Sequence, residues 1–285
     1  MKVLLTGGTG FLGKQFLKRL LQNEDLEICY LISRKKLPLI HEKIQSIQAD
    51  LTQSNSISML QESIGPIDHV VHLAGSQDDY LQNVITTEFL LEFAKIRSAH
   101  FHFASCPFSP TKDVAEDLVL KSKLKSSIYR FGLLVGDSKK GVIEKIDGPY
   151  LLLRKLYLLS KIPGKQWLPV VPFIGNPAVK LSLVPVDCAA DVLAQNVVKS
   201  PREGLIGVYP EKPVTLEQFY ELSLQSMGLT RAKPKFLQGD AGVKMLGPTQ
   251  PIAQPNIPVA EFSSYQEIFF KGFQEWMKDQ RDVRS

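Results

Sequence analysis

The stretch Val3-Leu4-Leu5-Thr6-Gly7-Gly8-Thr9-Gly10-Phe11-Leu12-Gly13 decides the fold. Apolar residues run straight into a glycine cluster, and Phe16, Leu17, Leu20 and Leu21 follow at helical spacing. The pattern is strand, tight turn, helix. The glycines fall as Gly7-x-x-Gly10-x-x-Gly13. In such a turn one glycine takes positive φ, one lets backbone approach a ligand closely, and one lets helix pack against strand. N–H groups at the helix N-terminus then face negative charge. The candidate phosphate cradle is Gly7, Thr9, Gly10, Phe11, Leu12 and Gly13. A glycine triplet also occurs in turns that bind nothing; its place between strand and helix selects the phosphate reading.

The second strand, Ile28-Cys29-Tyr30-Leu31-Ile32, ends at Ser33, about twenty residues past Gly13, where dinucleotide enzymes specific for NAD place an acid. Here Ser33 is followed by Arg34-Lys35-Lys36. A carboxylate repels a ribose 2′-phosphate, whereas a hydroxyl and a guanidinium bind it. Ser33 and Arg34 therefore predict NADP(H) as cofactor, the alternative being a solvated basic turn.

Strands and helices alternate through about residue 135, the mark of an α/β doubly wound parallel sheet covered on both faces. A third strand, Ile44–Gln48, is closed by Ala49-Asp50-Leu51; a fourth, His69–Leu73, ends in Ala74-Gly75. A long helix is expected from Tyr80 to Ile96, then a strand from Phe101 to Ala104 ending in Ser105. Ser109 as N-cap and Pro110 at the first helical position open the next helix, and Ser127–Phe131 is the sixth strand. Beyond Gly136, prolines at 149, 163, 169, 172, 177 and 185 break the rhythm. This divides the chain into residues 1–136, a dinucleotide-binding domain, and residues 137–285, a smaller α/β substrate lobe. In that lobe Thr215-Leu216-Glu217-Gln218 is a capping box, and Lys235 to Pro258 reads as a long loop. A final helix from Glu261 to Lys278 carries Phe262, Tyr265, Ile268, Phe269, Phe273 and Trp276, a stripe that suits docked core better than partner surface.

The 285 residues, 44% of them hydrophobic, suffice for a large core, and the net charge of +5 is scattered, which argues against nucleic acid as partner. Cys29, Cys106 and Cys188 are far apart and give no disulfide framework or metal clip. With no expected signal peptide or membrane-spanning run, the expected location is cytoplasmic. The run from Tyr150 to Ile162 suits a core helix better than a membrane face or acyl channel, because its basic residues form no single face. His69 and His72 point to opposite faces of their strand, and His100 and His102 share a face without a third ligand. No Gly-x-Ser-x-Gly is present, and Cys106 lacks an identifiable base.

The glycine triplet, Asp50-Leu51, His72-Leu73-Ala74-Gly75, Asn83-Val84 and Ser105 together resemble the short-chain dehydrogenase/reductase superfamily, of extended or atypical type, with its Rossmann fold. The resemblance implies that Asp50 meets the adenine amine, and that Leu51, Ala74 and Gly75 line the dinucleotide's path. Val135-Gly136-Asp137-Ser138, Gly141, Asp147-Gly148-Pro149-Tyr150 and Leu183-Val184-Pro185-Val186-Asp187 resemble the thioester-reductase and fatty-acyl-reductase ("male sterility") branch. That branch implies a small-molecule substrate, an acyl thioester or derived aldehyde. The superfamily's catalytic Tyr-x-x-x-Lys falls on Phe108 to Lys112, so Lys112 and Ser105 are the catalytic candidates and the tyrosine is replaced by Phe108. A phenylalanine has no proton to give, and Phe108 precedes the helix start at Ser109-Pro110. Tyr80 and Tyr150 are candidate surrogate acids. Two readings stand open: a reductase with weak or unusual turnover, and a non-catalytic NADP(H)-binding sensor or assembly protein.

Overall fold

The computed structural model describes residues 1–285 apart from 38–40, 54, 77–78, 107–108, 145–147, 165–166, 200, 238–255 and 283–285. The chain divides into two compact units. The first comprises Met1–Phe131, Ala189–Val208 and Gln254–Ile257, and the second Gly132–Cys188, Tyr209–Ala253 and Pro258–Ser285. A single cut near residue 136 does not describe them, because Ala189–Val208 returns to the first unit.

The first unit contains β1 (Lys2–Thr6), α1 (Phe11–Leu20), β2 (Ile28–Ser33), β3 (Ile44–Gln48), α2 (Ser56–Ser63) and β4 (His69–His72). After these, a π-helical turn (Leu81–Ile85) runs into α3 (Thr86–Arg97), followed by β5 (His100–Ser105), α4 (Pro110–Lys121) and β6 (Ser126–Phe131). The second unit supplies β7 (Leu133–Val135), α5 (Pro149–Leu159), β8 (Val170–Ile174), β9 (Lys180–Leu181) and β10 (Leu183–Pro185). Helix α6 (Val186–Val198) carries the chain back to the first unit and into β11 (Gly204–Pro210). There follow β12 (Val214–Thr215), α7 (Leu216–Ser226), β13 (Lys233–Leu237), β14 (Asn256–Val259) and α8 (Phe262–Asp282).

The main sheet has the order β14-β11-β6-β5-β4-β1-β2-β3. Every pairing from β11 to β3 is parallel. The chain reverses direction across the sheet between β1 and β4, and a ligand crevice opens at such a point at the carboxyl ends of the strands. Strands buried on both faces read as unbroken apolar runs; Val3, Leu4 and Leu5 have no exposed surface. One face packs Leu4, Val70, Phe101, Phe103 and Ile128 against Leu90, Phe93 and Ala94 of α3 and Val119 of α4.

Some expected elements differ in detail. The long helix opens with a π turn. Ser109 is the N-cap of α4, but its hydroxyl makes no capping bond and meets Thr111 Oγ1 at 2.9 Å instead. The capping box at Thr215 and Gln218 forms as read, with both reciprocal bonds present. The stretch read as one loop from Lys235 to Pro258 begins and ends in β13 and β14, and its middle lies outside the described residues.

The second unit's core joins α5, α7 and α8 through Leu153, Leu156, Phe219, Tyr265, Phe269 and Phe273. The stripe of α8 is thus docked core, and so is most of α5. Gly141 (φ +66°) and Gly272 meet backbone to backbone: a Cβ at Gly272 would lie 2.2 Å from Gly141 O, so no side chain fits between loop and helix.

Candidate active site

A cleft of about 510 Å³ opens in the first unit at the carboxyl ends of β1, β2 and β4. Its floor is the glycine turn, with Thr6, Gly7, Thr9 and Gly10 on the wall. Gly7 takes the positive φ of +73°, and a Cβ there would lie 2.4 Å from Ala74 N. Gly13 is buried, and its Cβ would lie 2.0 Å from Gly7 O, so it lets α1 close onto the turn. Gly10 has φ −78°, faces solvent in the cleft, and is the N-cap of α1 without a side-chain cap bond. Phe11 and Leu12 are the first residues of α1; Leu12 is buried, and what they offer is helix N-terminal N–H groups.

The end of the cleft beside β2 is lined by Ser33, Arg34 and Lys35, and next to them, past the end of β3, by Asp50, Leu51 and Thr52. Asp50 is held by Thr52, whose hydroxyl and backbone N–H donate to it at 2.8 and 3.1 Å. These bonds lower its pKa, and the charge of Arg34 lowers it further. Arg34 itself is exposed on the cleft wall. Lys35 N–H donates to Ser33 Oγ at 3.3 Å, which orders the turn.

The other end is closed by Leu73, Ala74 and Gly75, by Gln82 of the π turn and by Thr86 of α3. Thr6 Oγ1 and His72 Nδ1 share a buried hydrogen bond of 2.6 Å, which ties β1 to β4 just beneath the cleft. The π turn aims buried Asn83 at the chain after β4: its amide nitrogen donates to Ser76 O (2.7 Å) and to Thr111 Oγ1 (2.8 Å). Asn83 Oδ1 accepts from Ser76 N–H at 3.1 Å. A π turn inside a helix is a common mark of a functional position, and here it joins the cleft wall to α4.

Lys112 sits behind that wall. It is 7% exposed, and its Nζ donates to Ala104 O (3.2 Å) and Ala74 O (3.4 Å) and lies 4.6 Å from the centre of the Phe103 ring. A Cβ on Gly75 would meet that Nζ at 2.7 Å and Asn83 Oδ1 at 2.9 Å, so a side chain there would shift the ammonium from its present place. Burial pushes its pKa down to about 8, opposed by the nearby Cys106 and Glu116. Ser105, at the end of β5, is buried, and its Oγ has no hydrogen-bond partner among the described residues. A buried hydroxyl without a partner is costly, although Ser105 is not itself on the cleft wall. On the turn of α4 after Lys112, Glu116 receives Arg130 Nε at 2.8 and 3.0 Å, fixing α4 to β6.

The structure thus gathers Gly7, Thr9, Gly10, Ser33, Arg34, Asp50, Leu51, Ala74 and Gly75 around one cleft, with Lys112 behind Gly75. Phe108 lies outside the described residues. Neither surrogate acid is favoured. Tyr150 is buried in the second unit, stacked on Phe269, with its hydroxyl accepting from Gly136 N–H at 2.7 Å. Tyr80 is 54% exposed and is not on the cleft wall. Sequence reasoning missed Thr6, Thr52, Gln82 and Thr86, because single threonines and glutamines carry no spacing signal.

Residues 3–123 match the family profile described as the NAD dependent epimerase/dehydratase family, and residues 105–193 match the one described as Male sterility protein. Together the two matches span residues 3–193, and over that stretch the chain is similar to the extended short-chain dehydrogenase/reductase superfamily. Bovine (Bos taurus) fatty acyl-CoA reductase 2 is 29% identical over 32% of this chain, which is 25% of that protein's own length. The chain spans about a quarter of this curated relative. Two solved structures are similar in fold. UDP-glucuronic acid 4-epimerase from Bacillus cereus, in complex with UDP-glucuronic acid and NAD, has a TM-score of 0.71 at 18% identity, covering 97% of this chain and all of that one. A thiolation-reductase di-domain from an archaeal non-ribosomal peptide synthetase has a TM-score of 0.71 at 15% identity, covering 97% of this chain and 91% of that one. Among the described residues, no group of histidine, cysteine and acidic side chains is placed to hold a metal, and no helix is long and apolar enough to cross a membrane.

Proposed function

We propose that the cleft binds NADP(H) and that the chain is a slow reductase of acyl thioesters or the aldehydes derived from them. The observation that carries this reading is the cleft itself, which runs from a glycine turn to Arg34 and Lys35 on one side and to Gly75, backed by Lys112, on the other. The residues present fit a dinucleotide: Gly10 leaves room for a pyrophosphate, and Ser105 Oγ has a hydrogen bond to give. When bound, the cofactor supplies a hydride to a carbonyl carbon.

The chain's own residues divide the rest of the work. The turn N–H groups hold the pyrophosphate, and Ser33 and Arg34 hold the 2′-phosphate. With a pKa of about 8, Lys112 Nζ is mostly protonated at neutral pH. It holds ribose hydroxyls and adds positive potential where oxygen charge develops. Ser105 Oγ donates to the carbonyl oxygen. No phenol stands at position 108, and lack of a placed acid costs about 10²–10⁴ in rate. The sensor reading rests on that same substitution.

Calorimetric titration tests the cofactor: NADPH binds more tightly than NADH, and Arg34→Asp removes the preference. Equal affinities in the parent protein overturn it. Turnover of acyl thioesters and aldehydes at saturating NADPH tests the chemistry. A reductase gives slow product formation that Lys112→Ala abolishes; NADPH binding with no product at all favours the sensor.

A further inference from the structure

Strands β8 and β13 form a two-stranded parallel ribbon in the second unit, in the register Val170 to Lys233, Pro172 to Lys235 and Ile174 to Leu237. Alternation puts these six side chains on one face, and all six are exposed. The opposite face packs Val171, Phe173 and Phe236 onto the unit's core. Val170, Ile174 and Leu237 are each at least 40% exposed, and Trp167, just before β8, is 72% exposed. Arg231 lies over the Trp167 ring at 5.8 Å, and Lys233 N–H donates to Pro169 O, so the tryptophan and the ribbon form one surface.

Charge on the segments that build this surface has one sign. Residues 148–186 contain five Lys or Arg and no Asp or Glu, and residues 222–239 contain three and none. The chain's net charge is only +5, so this is a strong local excess. The ribbon face therefore combines aliphatic side chains, an exposed tryptophan and cations with no carboxylate among them.

We propose that this face docks on an anionic phospholipid surface. A bilayer offers both things the face lacks: apolar depth for Trp167, Val170, Ile174 and Leu237, and phosphate charge for Arg231, Lys233 and Lys235. Tryptophan suits the interfacial layer, where its ring is half-immersed. A nucleic acid would answer the cations and leave the aliphatic residues in water. A second copy of the chain would set cation against cation. The proposal is independent of what the cleft binds.

Co-sedimentation of the full chain with vesicles tests it, using phosphatidylcholine alone or with about a third phosphatidylglycerol. The expected result is binding to the anionic vesicles only, weakening as salt rises. Trp167 emission shifts to the blue on binding, read in a Trp276→Phe background. Lys233→Glu with Lys235→Glu weakens binding about tenfold or more, and so does Trp167→Ser, each with an unchanged thermal midpoint. Should either variant fail to fold, the emission shift of Trp167 and the lipid and salt dependence of the parent decide alone. Absence of binding, equal binding to neutral vesicles, or unchanged binding by folded variants overturns the proposal. So does binding of an acidic polypeptide such as polyglutamate through the same residues while vesicles are ignored.

Discussion

A methyl group added to the glycines of the turn would be tolerated very unequally. At Gly13 it would lie 2.0 Å from Gly7 O, and at Gly7 it would meet Ala74 N on backbone already at positive φ. At Gly10 the nearest atom is Gly7 O at 3.2 Å, with ordinary backbone. Gly13→Ala therefore damages the fold, by about 3 kcal/mol or more. Gly10→Val costs at most about 1 kcal/mol as a poorer N-cap, yet blocks the cradle. Urea unfolding and NADPH titration of the two variants check this; unchanged NADPH affinity in Gly10→Val would remove the cradle reading. Lys112 carries the opposite trade. Its folded pKa of about 8 lies below the unfolded value of 10.5, so its ammonium opposes folding at neutral pH. The parent chain gains stability as pH rises from about 8 towards 10.5. Lys112→Met is expected to be more stable than the parent at pH 7, on the order of 2–3 kcal/mol, to lose that pH dependence, and to bind NADPH poorly. A Met variant less stable than the parent at pH 7 contradicts the argument.

Strands β4, β5 and β6 share a polar seam inside an otherwise apolar sheet. His69 Nδ1 and His102 Nε2 are 3.1 Å apart, His102 Nδ1 and Tyr129 Oη 2.9 Å, and His100 Nε2 and Ser127 Oγ 2.9 Å. Asn196 of α6 donates to Ser127 Oγ at 3.3 Å and also to Tyr129 Oη. His69 thus joins His100 and His102, a third histidine that strand alternation alone does not reveal, but the rings bond to neighbours rather than converge on an ion. Burial lowers the pKa of His69 to about 4, and those of His72 and His102 well below 6.5. The folded state holds them neutral, so their contribution is intact above pH 6.5 and is lost as pH falls from there towards 4. With three such rings the slope of unfolding free energy is roughly 3–4 kcal/mol per pH unit between pH 6 and 5. Urea titrations across that range measure it; a slope near zero would mean that the seam admits protons while folded.

At the scale of the molecule, much of the first unit is legible in the amino-acid order. Val3–Leu5 and Val70–Val71 are buried on both faces, so their apolar runs announce parallel strands, and Gly7, Gly10 and Gly13 announce the turn. The end of the cleft beside β2 is legible for the same reason: Ser33, Arg34 and Asp50 follow strand ends at countable distances. The rest depends on what lies beside what. The lone hydroxyl of Ser105, the glycine at 75 that admits Lys112, and the π turn that aims Asn83 leave no periodic trace. Nor does periodicity show that Gly204–Val208 belongs beside β6, because that strand arrives after the proline-rich excursion of the second unit.

The late arrival of β11 has a consequence during synthesis on the ribosome. When residues up to Cys188 have emerged, β6 still presents a bare row of hydrogen-bonding groups, and Tyr129 still lacks Asn196. A half-made chain is therefore a template for pairing with another half-made chain. Nascent chains halted at residue 188 are expected to be cut readily by protease within β6, and those extended past residue 210 to resist it. Equal resistance at both lengths would mean that the edge is guarded before its partner strand exists.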